Sequence, residues 1–105
     1  MKTVSANNLI YKYFDEETII IDVRNPLEYN KLHIPKSFNI PFDKLINNCL
    51  LYLNKDFTYY IICSTGDLSK KACTILESKG YKVINIANGI KSWKGPTEST
   101  KKVSY

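Results

Sequence analysis

The sequence lacks the segments that would place it in or across a membrane. None of its apolar runs approaches the ~20 residues that a membrane span requires. The first eight residues contain no apolar core of the kind found in secretory signals. We therefore expect a cytoplasmic protein without a membrane partner. Its 105 residues, 44% hydrophobic and 24% charged, suit one soluble domain with one core.

Cysteine and histidine are scarce. The chain has three cysteines and one histidine, His33. The cysteines show no paired spacing, and an odd number would leave one thiol over, so the chain is not a disulfide framework. No CxxC or HxxxH pair occurs. We therefore expect no metal site built from protein side chains.

Arginine is almost absent, although the chain is basic. The formal net charge of +5 comes from 15 basic and 10 acidic residues, and Arg24 is the only arginine. Proteins that bind nucleic acid use arginine to contact bases and phosphates, and their basic residues cluster. Here the lysines are scattered along the chain. We interpret the charge as an aid to solubility and expect no nucleic-acid partner.

Strand patterns and helix patterns alternate along the chain. Runs of β-branched and aromatic residues predict strands, and apolar residues at helical spacing predict helices between them. The predicted strands cover residues 2–4, 18–23, 37–40, 59–62 and 81–86. The longer predicted helices cover residues 6–12, 42–53 and 68–79. This order predicts a three-layer α/β/α fold with a mainly parallel central sheet of about five strands, formed by residues 1–96 and followed by a loose polar tail, 97–105.

One stretch combines a strand, a cysteine, a glycine-containing loop and a helix. Cys63 follows the apolar run 59–62, and Gly66 lies three residues further on. The carboxyl ends of strands in open α/β sheets are where ligands bind. Loop N–H groups and the positive end of the next helix favour an anion there. We therefore predict Cys63 to be a thiolate nucleophile. Cys49 and Cys73 lie on helix patterns and read as buried residues, with a resolving thiol as the alternative for Cys73.

Four segments, in order, resemble motifs of the single-domain rhodanese family of sulfurtransferases. Residues 21–29 (IDVRNPLEY) resemble DVR-x-P-x-E-[YF], and residues 33–41 (HIPKSFNIP) resemble HIPGA-x-NIP. Residues 63–69 (CSTGDLS) resemble the active-site loop C-x-x-G-x-R-S, and residues 88–93 (NGIKSW) resemble GG-x-x-x-W. The similarity extends from about residue 4 to residue 93. It implies the rhodanese-like version of the predicted fold.

The resemblance also implies a chemistry. Cys63 would attack a sulfane sulfur donor and hold the outer sulfur as a persulfide, which passes to a thiol or cyanide acceptor. The donor would be a small sulfane-sulfur compound or a protein persulfide, and no cofactor or metal is required. The implied substrate-binding residues form the loop Ser64, Thr65, Gly66, Asp67, Leu68 and Ser69.

Four polar residues near this loop are interpreted as structural. Asp22 ends a buried strand, where a carboxylate usually accepts hydrogen bonds from nearby backbone N–H groups. Arg24 and Glu28 are close enough across a turn to pair and clamp it. His33 has no acidic neighbour in sequence to tune it, so we predict a structural histidine. Trp93 is predicted to pack the last helix onto the sheet.

The chain departs from the family pattern at one consequential position. Leu68 stands where the family has an arginine that helps to hold an anionic donor, and Asp67 adds a negative charge. We therefore expect a donor other than thiosulfate. The alternative is a non-catalytic binding or regulatory module of the same fold, which Leu68 and Asp67 favour and Cys63 opposes. A phosphatase or arsenate reductase loop of related design needs an arginine six residues after the cysteine, where this chain has Ser69.

Overall fold

The computed structural model describes residues 1–100. The strands are β1 (Lys2–Ser5), β2 (Ile19–Asp22), β3 (Phe38–Asn39), β4 (Thr58–Ile62) and β5 (Lys82–Ala87). The helices are α1 (Ala6–Tyr13), α2 (Pro26–Lys31), α3 (Phe42–Asn47), α4 (Cys49–Tyr52), α5 (Asp67–Ser78) and α6 (Gly89–Ser92). None of the helices in this range has the length and apolar character needed to cross a membrane.

The five strands form one sheet in the order β1-β5-β4-β2-β3, and every neighbouring pair is parallel. The predicted parallel sheet of about five strands is confirmed. Because β4 lies in the middle, the residue that follows it emerges at the centre of the edge where all carboxyl ends meet. Such an edge is where open α/β sheets bind ligands.

A hydrophobic core lies on each face of the sheet. One core packs α3, α4 and α5 against the strands and contains Leu45, Ile61 and Leu76. The other packs α1 and the segment after α6 against the opposite face and contains Leu9 and Trp93. The three-layer arrangement and the core position of Trp93 are thus confirmed. Successive side chains of a strand point to opposite faces of the sheet. Because both faces are covered, the run 18–23 shows no alternation of apolar and polar residues.

Two helices begin at residues whose types, serine and asparagine, predict a helix cap. Ser5 Oγ accepts a hydrogen bond from Asn8 N–H at 3.1 Å and caps α1. Asn25 Oδ1 accepts one from Glu28 N–H at 2.9 Å and caps α2, whose first residue is Pro26. These side chains satisfy N–H groups that have no partner inside the helix.

The helix predicted over 42–53 is two helices. The break lies at Asn48, whose backbone (φ −135°, ψ 34°) is not helical. The Asn48 side chain donates a hydrogen bond to Lys44 O at 3.0 Å, and its backbone N–H donates to the same oxygen. Asparagine side chains compete with the backbone for such partners, which weakens a helix interior. The apolar residues of the two helices still face the same core, since Leu45 and Cys49 are both buried in it.

The buried face of α5 also differs from the prediction. The spacing of Leu68, Ala72 and Leu76 predicts that Leu68 begins the apolar stripe of this helix and that Cys73 lies at its edge. In the structure Leu68 is 38% exposed and Cys73 is fully buried. The face of α5 that meets the sheet consists of Ser69, Ala72, Cys73 and Leu76. The helix is rotated because Ser69 turns inward, toward Cys63.

Residues 97–100 are held to the domain and are not the loose segment predicted. Glu98 N–H donates to His33 O, and His33 N–H donates to Glu98 O, each at 2.9 Å. Thr100 N–H donates to Asn30 O at 2.8 Å. A short polar stretch is thus ordered by backbone pairing, which its side chains do not reveal. The rest of the predicted tail, 101–105, lies outside the described residues.

Asp22 and Arg24 form an ion pair beneath the site edge. Asp22 is fully buried, and its Oδ2 lies 2.9 Å from Arg24 Nη2. Arg24 Nε and Arg24 N–H both donate to Oδ1 at 3.0 Å, which confirms that Asp22 serves a backbone N–H. The predicted clamp between Arg24 and Glu28 is wrong. The buried carboxylate needs a cation more than exposed Glu28 does, so Arg24 turns to Asp22 and to Leu32 O.

The first prediction concerns this pair. Arg24→Met should lower the free energy of unfolding by about 3–5 kcal/mol, because the buried Asp22 carboxylate then has no counter-charge. The double variant Asp22→Asn, Arg24→Met removes both charges and should be more stable than Arg24→Met. Urea denaturation at neutral pH measures both. If the double variant is the less stable of the two, the uncompensated charge is not the cause of the loss.

Candidate active site

Cys63 directly follows β4, and two backbone amides point at its sulfur. Gly66 N–H donates to Cys63 Sγ at 3.1 Å, and Ser69 N–H donates at 3.3 Å. The residue is only 3% exposed, yet it lines a cleft of about 610 Å³. The amides are neutral donors aimed at one atom, and such an arrangement stabilises negative charge on sulfur.

The loop is held in this conformation from its outer side. Ile90 N–H donates to Cys63 O at 2.9 Å, and Lys91 N–H donates to Ser64 O at 3.2 Å. In a trans peptide the C=O and the following N–H point in opposite directions. The N–H groups of Ser64 and Thr65 therefore point away from α6. Gly89 makes the approach possible, because a Cβ on it would lie 2.2 Å from Cys63 O.

Four further amides of the loop donate to no acceptor among residues 1–100. They belong to Ser64, Thr65, Asp67 and Leu68, which lie on either side of Gly66. Two of them are the first N–H groups of the 12-residue helix α5, which have no intrahelical partner. Amides at a helix start bind anions readily. The loop therefore holds hydrogen-bond donors that the sulfur itself does not use.

Behind the sulfur lies a residue that sequence reasoning missed, Asn85. Its Oδ1 lies 2.6 Å from Ser69 Oγ, which in turn lies 3.3 Å from Cys63 Sγ. Both Ser69 and Asn85 are buried. The only local signal is a single amide side chain inside the apolar run of β5. A buried amide needs partners, and here the partner is the loop.

Among residues 1–100, more acidic than basic side chains line the cleft. Ser64 Oγ donates to Glu28 Oε2 at 3.1 Å, which places that carboxylate beside the loop. Asp43 and Asp67 also line the cleft. Of the lysines near the loop, Lys71 lines the cleft, with its Nζ 5.7 Å from the ring centroid of Phe42. Arg24 also lines it but is paired with Asp22.

Leu68 lies on the rim of the cleft. It lines the cleft near Lys71 and is partly exposed. Gly66 and Ser69 of the predicted loop contact the sulfur. The other loop residues line the cleft together with Glu28 and Arg24; they are Ser64, Thr65, Asp67 and Leu68. A ligand that enters the cleft therefore meets the apolar side chain of Leu68, where the family pattern has an arginine.

His33 lies away from the cleft. Its Nδ1 lies 2.6 Å from Tyr29 O, and its Nε2 lies 3.0 Å from Glu98 Oε1. The ring stacks on Tyr29, with centroids 3.8 Å apart. Both nitrogens are engaged in holding the segment that ends at residue 100, which supports the structural interpretation. Glu98 was missed as its partner because it lies 65 residues further along the chain.

The other two cysteines are buried. Cys49 lies in the core on the α4 side of the sheet, as predicted. Burial raises the pKa of the Cys73 thiol to about 12, with smaller contributions from Glu77 and Cys63. Cys73 therefore stays protonated at neutral pH, and a resolving thiol must form a thiolate to act. This argues against the alternative role for Cys73.

Metal-ligating side chains do not converge in the described part of the chain. Over residues 1–100, no three His, Cys, Asp or Glu side chains lie close enough to share an ion. The rim carboxylates of Glu28 and Asp67 accept hydrogen bonds from Ser64 and Thr65 instead. The chemistry that these residues support is that of the thiol and its amides.

Comparison with known proteins identifies a family and relatives that the chain resembles. A family model described as Rhodanese-like domain matches residues 6–96. The chain is 39% identical over 85 residues to the "Putative sulfur carrier protein YrkF" of Bacillus subtilis, covering 80% of this chain and 45% of that protein. It is 33% identical over 84 residues to the "Putative sulfurtransferase YtwF" of the same organism, covering 80% and 81%. The chain thus spans less than half of the first relative.

Solved structures share the fold. A crystal structure of a rhodanese-like domain protein from Staphylococcus aureus superimposes with a TM-score of 0.87 at 31% identity, covering 96% of this chain and all (100%) of that one. A rhodanese-related protein from Thermoplasma volcanium gives a TM-score of 0.84 at 28% identity, covering 93% and 98%. The sheet and its helices are therefore matched over nearly the whole described chain.

The second prediction tests the backbone cradle with two glycines of similar conformation. Gly66 (φ +100°) and Gly80 (φ +92°) both adopt left-handed backbone, so alanine at either position should cost about 1–2 kcal/mol. A Cβ on Gly66 would also lie 2.8 Å from Asn88 N, whereas one on Gly80 meets only the Lys55 side chain at 3.6 Å. Gly66→Ala should therefore destabilise more and slow the alkylation of Cys63.

Gly80→Ala is the matched control. It should lower the melting temperature but leave the alkylation rate unchanged, because Gly80 lies at the far end of α5. Thermal denaturation and iodoacetamide kinetics measure the two effects separately. Equal alkylation rates for both variants would show that the conformation of Gly66 does not control the sulfur.

Proposed function

The chain belongs to the rhodanese-like domain family, and on that premise we propose that it is a sulfurtransferase that carries sulfane sulfur as a persulfide on Cys63. The names of its relatives support a sulfur-transfer role. One observation carries the assignment of the residue: Cys63 Sγ accepts hydrogen bonds from two amides, and four more amides of the same loop have no acceptor among residues 1–100. A buried packing cysteine has no need of that arrangement.

The first half-reaction loads the sulfur. The Cys63 thiolate attacks the outer sulfur of a persulfide donor, R–S–SH, and the S–S bond of the donor breaks as a new one forms. The products are Cys63–S–SH and the thiolate RS⁻, so atoms and charge balance and no external oxidant is needed. Gly66 and Ser69 amides stabilise the attacking sulfur before the reaction.

The second half-reaction unloads it. When the persulfide ionises, its charge resides on the outer sulfur, beyond the reach of the amides that served Sγ. The open amides of Thr65, Asp67 and Leu68 are the donors that this sulfur would meet. An acceptor thiolate R′S⁻ attacks the outer sulfur and leaves as R′S–S⁻, which takes up a proton from solvent, and the Cys63 thiolate is restored. Cyanide attacks the same atom and leaves as thiocyanate.

The rim determines which donors are suitable. Glu28, Asp43 and Asp67 line the cleft, and Leu68 offers no positive charge to a dianion such as thiosulfate. Among residues 1–100, Lys71 is the one lysine that lines the cleft, and it lacks the planar fork with which arginine holds an oxyanion. A persulfide of low charge, on a small molecule or on a protein, avoids this repulsion. We therefore propose a persulfide donor in preference to thiosulfate.

A binding module with this fold is the second candidate. Its support is the apolar Leu68 on an acidic rim, which suits contact with a protein surface as well as a small donor. Such a module would have no use for a sulfur-loaded Cys63. The mass of the protein after exposure to a donor therefore separates the two functions.

The third prediction concerns that mass. Incubation with a persulfide donor, followed by removal of the donor, should raise the intact mass by one sulfur atom. Cys63→Ser should abolish the gain and leave the fold intact. Cys49→Ser and Cys73→Ser, matched changes at buried cysteines, should retain it. A wild-type protein that gains no sulfur is a binding module, and a gain that persists in Cys63→Ser assigns the sulfur to another residue.

The fourth prediction concerns donor choice. Leu68→Arg should raise kcat/KM for thiosulfate by about tenfold or more, because a charge-assisted hydrogen bond contributes about 1.5–3 kcal/mol. The gain should shrink as salt is added. Leu51→Arg adds the same charge at an exposed position on α4, away from the cleft, and should have no such effect. The measurement is the steady-state kcat/KM of the wild type and both variants, with thiosulfate and with a persulfide donor.

Brisk thiosulfate turnover by the wild type, or an equal gain in Leu51→Arg, would show that Leu68 does not set the choice of donor. Lys71, which also lines the cleft, would then be the residue to exchange.

A further inference from the structure

Asn85 lies on β5, outside the loop that carries the family motif, and the Ser69 side chain separates it from Cys63. Its side chain contacts Ser69 Oγ at 2.6 Å, and Ser69 contacts Cys63 Sγ at 3.3 Å. We propose that Asn85 is a positioning residue: it turns the Ser69 hydroxyl proton away from the Cys63 sulfur and thereby opposes formation of the thiolate. The inference rests on the proposed function only in taking the Cys63 thiolate as the attacking species.

The argument starts from the single proton of the Ser69 hydroxyl. Three acceptors surround Ser69 Oγ: Asn85 Oδ1 at 2.6 Å, Gly66 O at 3.1 Å and Cys63 Sγ at 3.3 Å. Gly66 O already accepts a hydrogen bond from Lys70 N–H. The shortest contact is to Asn85, at a distance typical of a strong O–H···O bond. The proton therefore points to Asn85, and Ser69 presents a lone pair to sulfur.

A lone pair facing sulfur favours the thiol. Cys63 S–H donates to Ser69 Oγ, whose own proton is donated to Asn85 Oδ1, so the chain of donors runs away from the cysteine. When the thiol loses its proton to solvent, Ser69 can donate to the sulfur anion only by giving up the bond to Asn85. Hydrogen bonding to the neutral form of a group disfavours its charged form. Asn85 thus opposes ionisation of Cys63 through Ser69.

The location makes this opposition effective. Ser69 and Asn85 are both buried, so water does not replace a lost partner freely. An amide oxygen cannot accept the proton itself, because a neutral amide does not titrate near neutral pH. Asn85 therefore directs a proton without exchanging one. The two amides of Gly66 and Ser69 act in the opposite sense, since they favour the thiolate.

Charged groups around Cys63 also influence how readily its thiol ionises. Those that line the cleft come from the first βα loop and α2, from α3 and from α5; they are Arg24, Glu28, Asp43, Asp67 and Lys71. Asp22 is paired with Arg24, and Cys73 stays protonated at neutral pH. None of these contacts Asn85 or Ser69 by a hydrogen bond within residues 1–100. A substitution at Asn85 leaves all of them in place.

The experiment measures how the rate of Cys63 alkylation by iodoacetamide depends on pH. Asn85→Leu removes the acceptor with little change of volume, so the Ser69 proton becomes available to sulfur. The pH at which the rate reaches half its maximum should fall, and below that pH the rate should rise by up to about tenfold. All proteins carry Cys49→Ser and Cys73→Ser, so that only one thiol reacts.

A second background separates positioning from packing. In Ser69→Ala the hydroxyl is absent, so adding Asn85→Leu should leave the pH midpoint where Ser69→Ala puts it. Asn85→Ala serves as an alternative should the leucine variant not fold, as judged by circular dichroism. An unchanged or raised midpoint in Asn85→Leu overturns the proposal. Equal shifts with and without Ser69 overturn it as well, because Asn85 would then act on the sulfur by another route.

Failure here is distinguishable from failure of the proposed function. Alkylation reports the ionisation of Cys63 and involves no sulfur donor, whereas the mass gain after exposure to a persulfide reports sulfur loading. A protein that loads sulfur but shows no response to Asn85→Leu retains the proposed function and loses this inference. A protein that responds to Asn85→Leu but never gains sulfur shows the reverse.

Discussion

Two backbone hydrogen bonds from α6 to the loop determine what the site can do. Ile90 and Lys91 hold the carbonyls of Cys63 and Ser64, and the peptide units they belong to therefore turn their N–H groups the other way. The approach is so close that only glycine fits at position 89. The last helix of the domain thus shapes a loop that precedes it by more than twenty residues. Without this contact the N–H groups of Ser64 and Thr65 would have no fixed direction.

Negative charge at the site is stabilised by backbone dipoles in place of cations. The one arginine is committed to buried Asp22, and the carboxylates of Glu28, Asp43 and Asp67 outnumber Lys71 around the cleft. Amides at the start of a helix attract an anion that lies within hydrogen-bonding distance but attract a distant one weakly, because their partial charges are small and fall off quickly. We therefore expect the site to favour charge that forms on Cys63 over charge on a donor that arrives from solution.

Local signals predicted much of this architecture, and long-range partners escaped them. The strand before Cys63, the glycine in the loop and the caps at Ser5 and Asn25 are properties of neighbouring residues, so the sequence displays them. Arg24 pairs with Asp22 and not with Glu28 because Asp22 is the buried carboxylate, and burial is a property of the folded chain. The partners of His33 and Ser69 come from Glu98 and Asn85, which approach only after the sheet has formed. Exposure of Leu68 follows from the inward turn of Ser69, another tertiary effect.

The loop supplies its donors from the main chain, and this separates reactivity from selectivity. Side chains at positions 64, 65, 67 and 68 face the cleft or its rim, while the N–H groups beneath them are common to nearly all amino acids. Such a loop tolerates exchange of its side chains without losing the means to stabilise a sulfur anion. One scaffold of this kind is suited to diversify toward many donors and partners, by changing the residues that a visitor touches and retaining the peptide groups that act on the sulfur.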